Sequence, residues 1–194
     1  MLTEIARRTL LSIVVASAVS GGAAHAAERL KINGSRGTID FAIGDSRIFR
    51  TTGGFTEWQG IVHVVDEDIP KSTVEVTIST GSVQMLDNQQ TAMLKESDFF
   101  HVEKFPEMAF RSTRIERTGE TTLRVDGDIT LRGITRPMTL EVSVTDRRPN
   151  AAAGSRYAGF HARGTIKRSE FGMTKFVDVV GDNVEITIDA DAWR

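Results

Sequence analysis

The sequence predicts an all-β fold, an antiparallel up-and-down barrel of about eight strands with one or two short helices. From Thr38 onward the dominant hydrophobic period is two, which is typical of strands. Each strand has one apolar and one polar face, so the sheet has one dry and one wet side. No helical crossover separates the strands, which leaves a sandwich or a closed barrel. The barrel is favoured because closure removes exposed sheet edges.

Eight segments carry this alternation. Their apolar positions are, in chain order, Ile39, Phe41 and Ile43; the run 61–65; Val74, Val76 and Ile78; Met108 and Phe110; Leu123, Val125, Gly127, Ile129 and Leu131; Met138, Leu140, Val142 and Val144; Ala158, Phe160, Ala162, Gly164 and Ile166; Val184, Ile186, Ile188 and Ala190. Between the third and fourth segments, residues 88–96 lack the alternation and contain good helix formers, so a short helix of one to three turns is predicted there.

The segment 94–110, LKESDFFHVEKFPEMAF, joins the predicted helix to the later strands. It holds four phenylalanines, Phe99, Phe100, Phe105 and Phe110, and one of the four prolines of the chain. So much aromatic surface is unusual in a connection. The segment therefore either plugs the end of a packed core or lines a place where something apolar binds.

Small residues on the inward faces leave the same two alternatives open. Gly127, Ala158, Ala162, Gly164 and Ala190 all fall on the apolar phase. A barrel of about eight strands either fills with side chains or holds one small ligand. Small inward residues leave room for such a ligand, or they make space for neighbouring Phe and Trp side chains.

Residues 1–26 are predicted to be a cleaved secretory signal peptide. Arg7 and Arg8 give a positive start, 9–19 is a short apolar run, and 24–26 reads Ala-His-Ala, an A-x-A cleavage signal. The run is shorter than the roughly 20 residues that span a bilayer. Cleavage after Ala26 leaves one domain, 27–194, which we expect to be a soluble exported protein.

Composition excludes several kinds of site. The formal net charge of −2 and the sequence pI near 6.1 give no reason to expect nucleic acid as a partner. The chain has no cysteine, so disulfides, Fe–S clusters and cysteine-based zinc sites are not available to it. A cofactor is not expected.

Motifs for catalysis are weak. His63, His101 and His161 lie far apart in the chain, and no HExxH or G-x-S-x-G motif occurs. Asp126 and Asp128 share a strand face with arginines, which favours a surface charge pattern. By elimination the pattern favours non-covalent binding in an apolar interior. Two rivals stay open: a small hydrolase or isomerase site near His101 and Glu103, and a packed interaction module without a ligand.

Four stretches together resemble the YceI-like family of exported polyisoprenoid-binding proteins. They are LKESDFFHVEKFPEMAFRST at 94–113, VDGDITLRGITRPMTLEV at 125–142, IKRSEFGM at 166–173 and VGDNVEITI at 180–188. The resemblance implies a lipocalin-like barrel and a long apolar tunnel. It also implies a periplasmic location and no catalysis. The ligand would be an isoprenoid quinone, a polyprenyl phosphate or another long-chain amphiphile.

Two departures concern the polar end of such a ligand. The family often has an Arg-Asp pair where this chain has Gln90 and Thr91, and a histidine in the loop where this chain has 44–47. No head-group contact is therefore carried over. Transient membrane contact and a homodimer are partner states that the resemblance leaves open. The residues predicted to line or gate the tunnel are Phe41, Phe99, Phe100, Phe105, Phe110, Leu123, Val125, Phe160 and Phe171.

Overall fold

The structure is a computed structural model that describes residues 27–44, 50–148 and 152–194. The predicted signal peptide lies outside these residues, so cleavage after Ala26 stays a prediction. Within the described ranges, no helix is both long enough and apolar enough to cross a membrane.

Eleven strands and two α-helices make up the described chain. The strands are β1 Glu28–Asn33, β2 Gly37–Ile43, β3 Thr51–Phe55, β4 Trp58–Val64, β5 Thr73–Ser79, β6 Val83–Met85, β7 Glu107–Arg117, β8 Thr122–Leu131, β9 Ile134–Thr145, β10 Arg156–Lys167 and β11 Asn183–Trp193. Helix α1 is Asn88–Lys95, as predicted, and α2 is Val177–Val180. Four 3₁₀ turns are Gly34–Arg36, Ile69–Lys71, Thr80–Ser82 and Arg168–Phe171.

Eight strands close into a barrel. The neighbours are β1, β4, β5, β7, β8, β9, β10 and β11 in that order, and the pairing of Lys31 with Trp193 joins β11 back to β1. All pairings in the described chain are antiparallel. The predicted antiparallel barrel is thus confirmed, and the sandwich alternative is wrong.

Three of the barrel strands bend and continue beyond the ring. β2 follows β1 after the 3₁₀ turn Gly34–Arg36, β4 follows β3 after two residues, and β6 follows β5 after Thr80–Ser82. The bends coincide, because β2 pairs with β3 and β3 with β6, just as β1 pairs with β4 and β4 with β5. The sheet therefore opens out at one end of the barrel.

Helix α1 and the aromatic segment lie at this open end. Asp87 caps α1 by accepting a hydrogen bond from the backbone N–H of Gln90 (2.8 Å). The backbone N–H of Thr80 donates to the carbonyl of Pro106 (2.9 Å), and the Thr80 hydroxyl donates to the carbonyl of Phe105 (2.6 Å). Because Thr80 is fully buried, these bonds fix the aromatic segment firmly against the wall.

Candidate ligand-binding site

An apolar cavity of about 480 Å³ runs through the barrel interior. Every strand of the closed ring contributes side chains to its wall. Among them are Ile32, Val62, Val76, Met108, Phe110, Val125, Ile129, Leu140, Val142, Ala162, Ile186 and Ile188. The volume lies within the range of about 300–1,000 Å³ that is usual for small-molecule sites. The interior therefore has room for a ligand, and the packed interaction module is not what the barrel forms.

Seven of the nine residues predicted for the tunnel wall line this cavity. They are Phe41, Phe99, Phe100, Phe110, Leu123, Val125 and Phe160. Phe99 and Phe100 both contribute although they are adjacent, because they lie in a turn and not in an extended strand. Whether these side chains contact a ligand stays a prediction.

The other two, Phe105 and Phe171, are not among the lining residues of this cavity. The Phe105 ring covers Gly133, where a Cβ would lie 3.2 Å from it, and stands edge-on to His101 with ring centroids 5.8 Å apart. Phe171 ends the 3₁₀ turn Arg168–Phe171 and is completely buried in packed protein. Both rings fix connections and do not face the open space.

Small inward residues serve both of the roles that the sequence left open. A Cβ on Gly127 would lie 2.5 Å from the Cζ atom of Phe110, and a Cβ on Gly53 would lie 2.5 Å from the Cζ atom of Phe41. These glycines make space for aromatic rings. Ala158, Ala162 and Ala190 instead line the cavity directly and leave it open.

Aromatic rings concentrate where the sheet opens out. Phe55 lies 5.8 Å from Phe41 and 5.4 Å from Phe100, the latter in a T-shaped arrangement, and Phe99 lies 6.5 Å from Phe176 (centroid distances). Such geometries are favourable beyond simple burial. Phe55 and Phe176 line the cavity but were not among the predicted site residues. Phe55 could have been found from the phase of its strand, whereas Phe176 lies in a segment without periodicity.

Polar groups meet at the opposite end, which we call the Tyr157 end. The Tyr157 hydroxyl donates to Asp66 (2.9 Å to Oδ2), and Arg147 forms an ion pair with the same carboxylate. Burial raises the pKa of Tyr157, while the hydrogen bond from Arg147 opposes that rise. The connection after β4 is thus joined to the connection after β9, which closes much of this end.

Tyr157 points inward because of a β-bulge. The register between β10 and β11 shifts between Arg156 and Ala158, so Tyr157 has no partner residue on β11. Bulges re-aim side chains in this way. Tyr157 falls on the polar phase of its strand, and for this reason alternation in the sequence does not predict its place in the wall.

The mouth, defined here as α1, residues 96–100 and residues 172–180, forms the other end of the cavity. Gln90, Met93 and Leu94 of α1 line it together with Lys175 and Phe176. Lys175 is paired with Asp98 (2.5 Å). Two of the large apolar side chains that are exposed in the described chain lie here: Val179 is 83% exposed and Phe176 48%. The third, Leu86, precedes the N-cap of α1 and is 100% exposed.

Arg168 is the charged residue most deeply buried in the cavity wall. It is only 4% exposed and follows directly on β10. Its Nε donates to the carbonyl of Gly181 (2.9 Å), and its Nη1 donates to the carbonyls of Met173 (3.1 Å) and Lys175 (2.7 Å). The guanidinium therefore holds the loop at the mouth in place. The predicted site residues did not include it.

The histidines and the glutamate that were considered for catalysis do not line the cavity. His63, His101, His161 and Glu103 are not among its lining residues. His161 Nδ1 lies 2.7 Å from the carboxylate of Asp189. In the described ranges no three metal-ligating side chains come together. On the outer face of the sheet, hydrogen bonds from Thr139 and Arg124 lower the pKa of Asp126, which fits the predicted surface charge pattern.

Comparison with known proteins identifies the family. The model of the YceI-like domain matches residues 30–192, which is nearly all of the described chain. The chain belongs to the YceI-like family. The resemblance of the four sequence stretches is thereby confirmed. The family match begins just after the predicted start of the mature domain and ends two residues before the C-terminus.

Relatives of this YceI-like chain match most of its length. A UPF0312 protein of Serratia proteamaculans is 31% identical over 190 residues, which cover 97% of this chain and 98% of the relative. The crystal structure of Burkholderia cenocepacia BcnA has a TM-score of 0.71 at 22% identity, covering 82% of this chain and 98% of BcnA. A polyisoprenoid-binding domain from Saccharophagus degradans has a TM-score of 0.61 at 10% identity, covering 87% and 99%. These two structures share the fold.

Proposed function

We propose that this protein is an exported, periplasmic carrier or sequestering protein that binds a polyisoprenoid or a similar long-chain amphiphile without catalysis. The observation that carries the proposal is the apolar cavity, whose wall comes from all eight strands of the ring. Burial of an apolar chain contributes about 0.8 kcal/mol per CH₂. A tail of several isoprene units would therefore bind tightly with few polar contacts.

Two further observations support this proposal. A structural neighbour from Saccharophagus degradans is described as polyisoprenoid-binding, and the barrel of the present chain has the same fold. His101 and Glu103, the pair named for a rival hydrolase or isomerase, lie outside the cavity. The proposal thus assigns the cavity to binding, with an isoprenoid lipid or isoprenoid quinone as ligand and no cofactor.

The proposal includes a transient contact between the mouth and a membrane surface. Phe176 and Val179 expose apolar side chains in the segment 172–180, which borders the opening through which a lipid would enter. An exposed apolar rim that continues into an apolar cavity suits transfer between a bilayer and the barrel. A homodimer has no observation in its favour and is not part of the proposal.

The test is lipid extraction of the protein purified from the periplasm, followed by mass spectrometry. We expect a co-purified long-chain lipid, and an N-terminus at Ala27 in the intact protein mass. The delipidated protein should take up a prenyl lipid in a fluorescence displacement assay. Protein that is recovered empty and takes up no prenyl lipid would overturn the carrier function.

A further inference from the structure

The hydrogen bonds of Arg168 leave part of its guanidinium unused. Arginine has five N–H donors, and three of them, one on Nε and two on Nη1, are taken up by backbone carbonyls. Nη2 makes no hydrogen bond to any residue of the described chain. Two donors of a nearly fully buried cation are therefore available to something that the protein itself does not supply.

The charge of Arg168 is also incompletely balanced. In the described ranges it forms no ion pair with a carboxylate. Asp182 is the acidic residue whose charge acts on Arg168. Its carboxylate, however, accepts hydrogen bonds from the backbone N–H (2.9 Å) and the hydroxyl (2.8 Å) of Ser169 and none from Arg168. Burial lowers the pKa of Arg168, and the charge of Asp182 only opposes this. A buried cation of this kind favours an additional anion nearby.

The location of Arg168 in the fold would place such an anion inside the cavity, near its mouth. Arg168 lines the cavity close to the mouth, together with Met173, Lys175 and Val180. Lys175 is already paired with Asp98. At the Tyr157 end, by contrast, Arg147 is paired with Asp66 and hydrogen-bonded to Tyr157. The two ends therefore differ: a buried cation with spare donors occurs at the mouth, and a balanced network at the Tyr157 end.

We propose that Nη2 of Arg168 binds an anionic oxygen, phosphate or carboxylate, on the head of the lipid whose tail fills the barrel. This inference rests on the proposed function and adds an orientation and a ligand class to it. The tail points toward the Tyr157 end and the head stays at the mouth. The Met173, Lys175 and Gly181 carbonyls hold the guanidinium in place, so the binding edge is set before the ligand arrives.

The experiment compares three probes with the same C15 chain on the delipidated protein: the prenol, the prenyl monophosphate and the corresponding prenyl carboxylate. A hydrogen bond to a charged group contributes enough that the anionic probes should bind about ten- to a hundredfold tighter than the prenol. Whichever anionic probe binds more tightly identifies the head group as phosphate or carboxylate. Equal binding of all three overturns the inference while the carrier function stands. If no probe binds, the carrier function itself fails.

Two variants test whether Arg168 causes the preference for anionic probes. Arg168→Lys keeps the charge but lacks the second guanidinium edge. We expect the ratio between the affinities for the anionic probes and for the prenol to fall toward one, whatever the affinity for the prenol itself becomes. Arg163→Lys, the same exchange on the exposed face of β10, should keep the preference. A preference that survives in Arg168→Lys overturns the assignment. The probe comparison on the unaltered protein remains decisive where the variant does not fold.

Discussion

At the scale of single residues, the small residues of the inner face have two effects on the cavity. Gly127 lies under Phe110 and Gly53 lies under Phe41, with no room for a Cβ at either glycine. The rings occupy that space. Ala158, Ala162 and Ala190 belong to the cavity lining and border the open volume. The glycines therefore make room for the rings, and the alanines border the open volume.

Ala162→Phe is expected to shorten the space for a ligand tail. Ala162 lies on β10 and lines the cavity. Exclusion of one five-carbon unit removes about 4 kcal/mol of apolar burial at about 0.8 kcal/mol per CH₂. Affinity for long prenyl chains should therefore fall by at least about a hundredfold. Affinity for short chains should change little, as measured with a series of chain lengths.

The control for this change is Thr165→Phe, which adds the same side chain on the exposed face of the same strand. Its chain-length profile should match that of the unaltered protein. Equal affinity of Ala162→Phe for long and short chains would place the tail elsewhere than in the barrel.

At the scale of elements, the loop between β10 and β11 carries the features that make this end a mouth. It contains the buried Arg168, the short helix α2 and Phe176, whose φ of +61° lies in the left-handed region. A bulky residue in that region costs on the order of 1 kcal/mol. The loop keeps this strained, half-exposed aromatic residue at the opening of the cavity, where a lipid would pass.

Phe176→Asn separates the stability of the loop from its proposed membrane contact. Asparagine tolerates the left-handed conformation, so the substitution relieves backbone strain. It also removes the ring contact with Phe99. Because the two effects on stability oppose each other, Tm should change by only a few degrees. Lipid transfer to zwitterionic vesicles should slow severalfold, because an apolar group leaves the rim. Unchanged transfer in this variant and in Val179→Ser would exclude contact through the rim.

Asp182→Asn tests whether the hydrogen bonds from Ser169 to the Asp182 carboxylate stabilise this loop. Burial pushes the pKa of Asp182 upward, but the hydrogen bonds from Ser169 and the charges of Arg168 and Lys167 outweigh it, so the pKa lies below the ordinary value. A lowered pKa stabilises the fold above the unfolded-state pKa of about 3.9, and this contribution is lost as the pH falls through the folded-state pKa.

Urea unfolding should therefore show Asp182→Asn to be less stable at pH 7, with the difference shrinking as the pH falls below about 4. Asp178→Asn, an exposed position on α2, controls for removal of one charge. A difference from the unaltered protein that is independent of pH would mean that the carboxylate charge of Asp182 does not support the loop.

At the scale of the whole molecule, the closed ring encloses a cavity in place of a filled core. Open space inside a barrel costs stability because its wall lacks packing partners. A ligand that fills it should restore them. Binding to the folded state alone stabilises it by about 2.7 kcal/mol at a ligand concentration a hundredfold above Kd.

The delipidated protein should accordingly melt at a lower temperature than the protein as purified, and a saturating prenyl lipid should raise Tm by at least about 4 °C. Ala162→Phe should show a smaller rise with long chains. The measurement is differential scanning fluorimetry over a ligand titration. A Tm independent of added lipid would mean that the cavity does not bind it.

Alternation in the sequence is enough to predict the barrel, because successive side chains of a strand point to opposite faces and each alternating segment has one apolar face to bury. The same reasoning located α1 and placed Phe41, Leu123, Val125 and Phe160 on the cavity wall. Quoted motifs were enough to indicate the family, since they occur in the right order over nearly the whole chain.

The places where that alternation breaks depend on contacts between segments that are distant in the chain. Bulges in β7 and β10 shift the phase, so that Ile115 and Tyr157 face inward although the period predicts otherwise. Phe105 and Phe171 are aromatic and lie close in sequence to residues of the cavity wall, yet they pack into connections between strands. Hydrophobic periodicity does not predict the course of such connections. The role of Arg168 as a candidate head-group ligand could not be predicted from the sequence either. Its burial depends on carbonyls of a loop that follows it in the chain and folds back over it. These positions are fixed by contacts between distant segments, which the hydrophobic periodicity of a single segment does not predict.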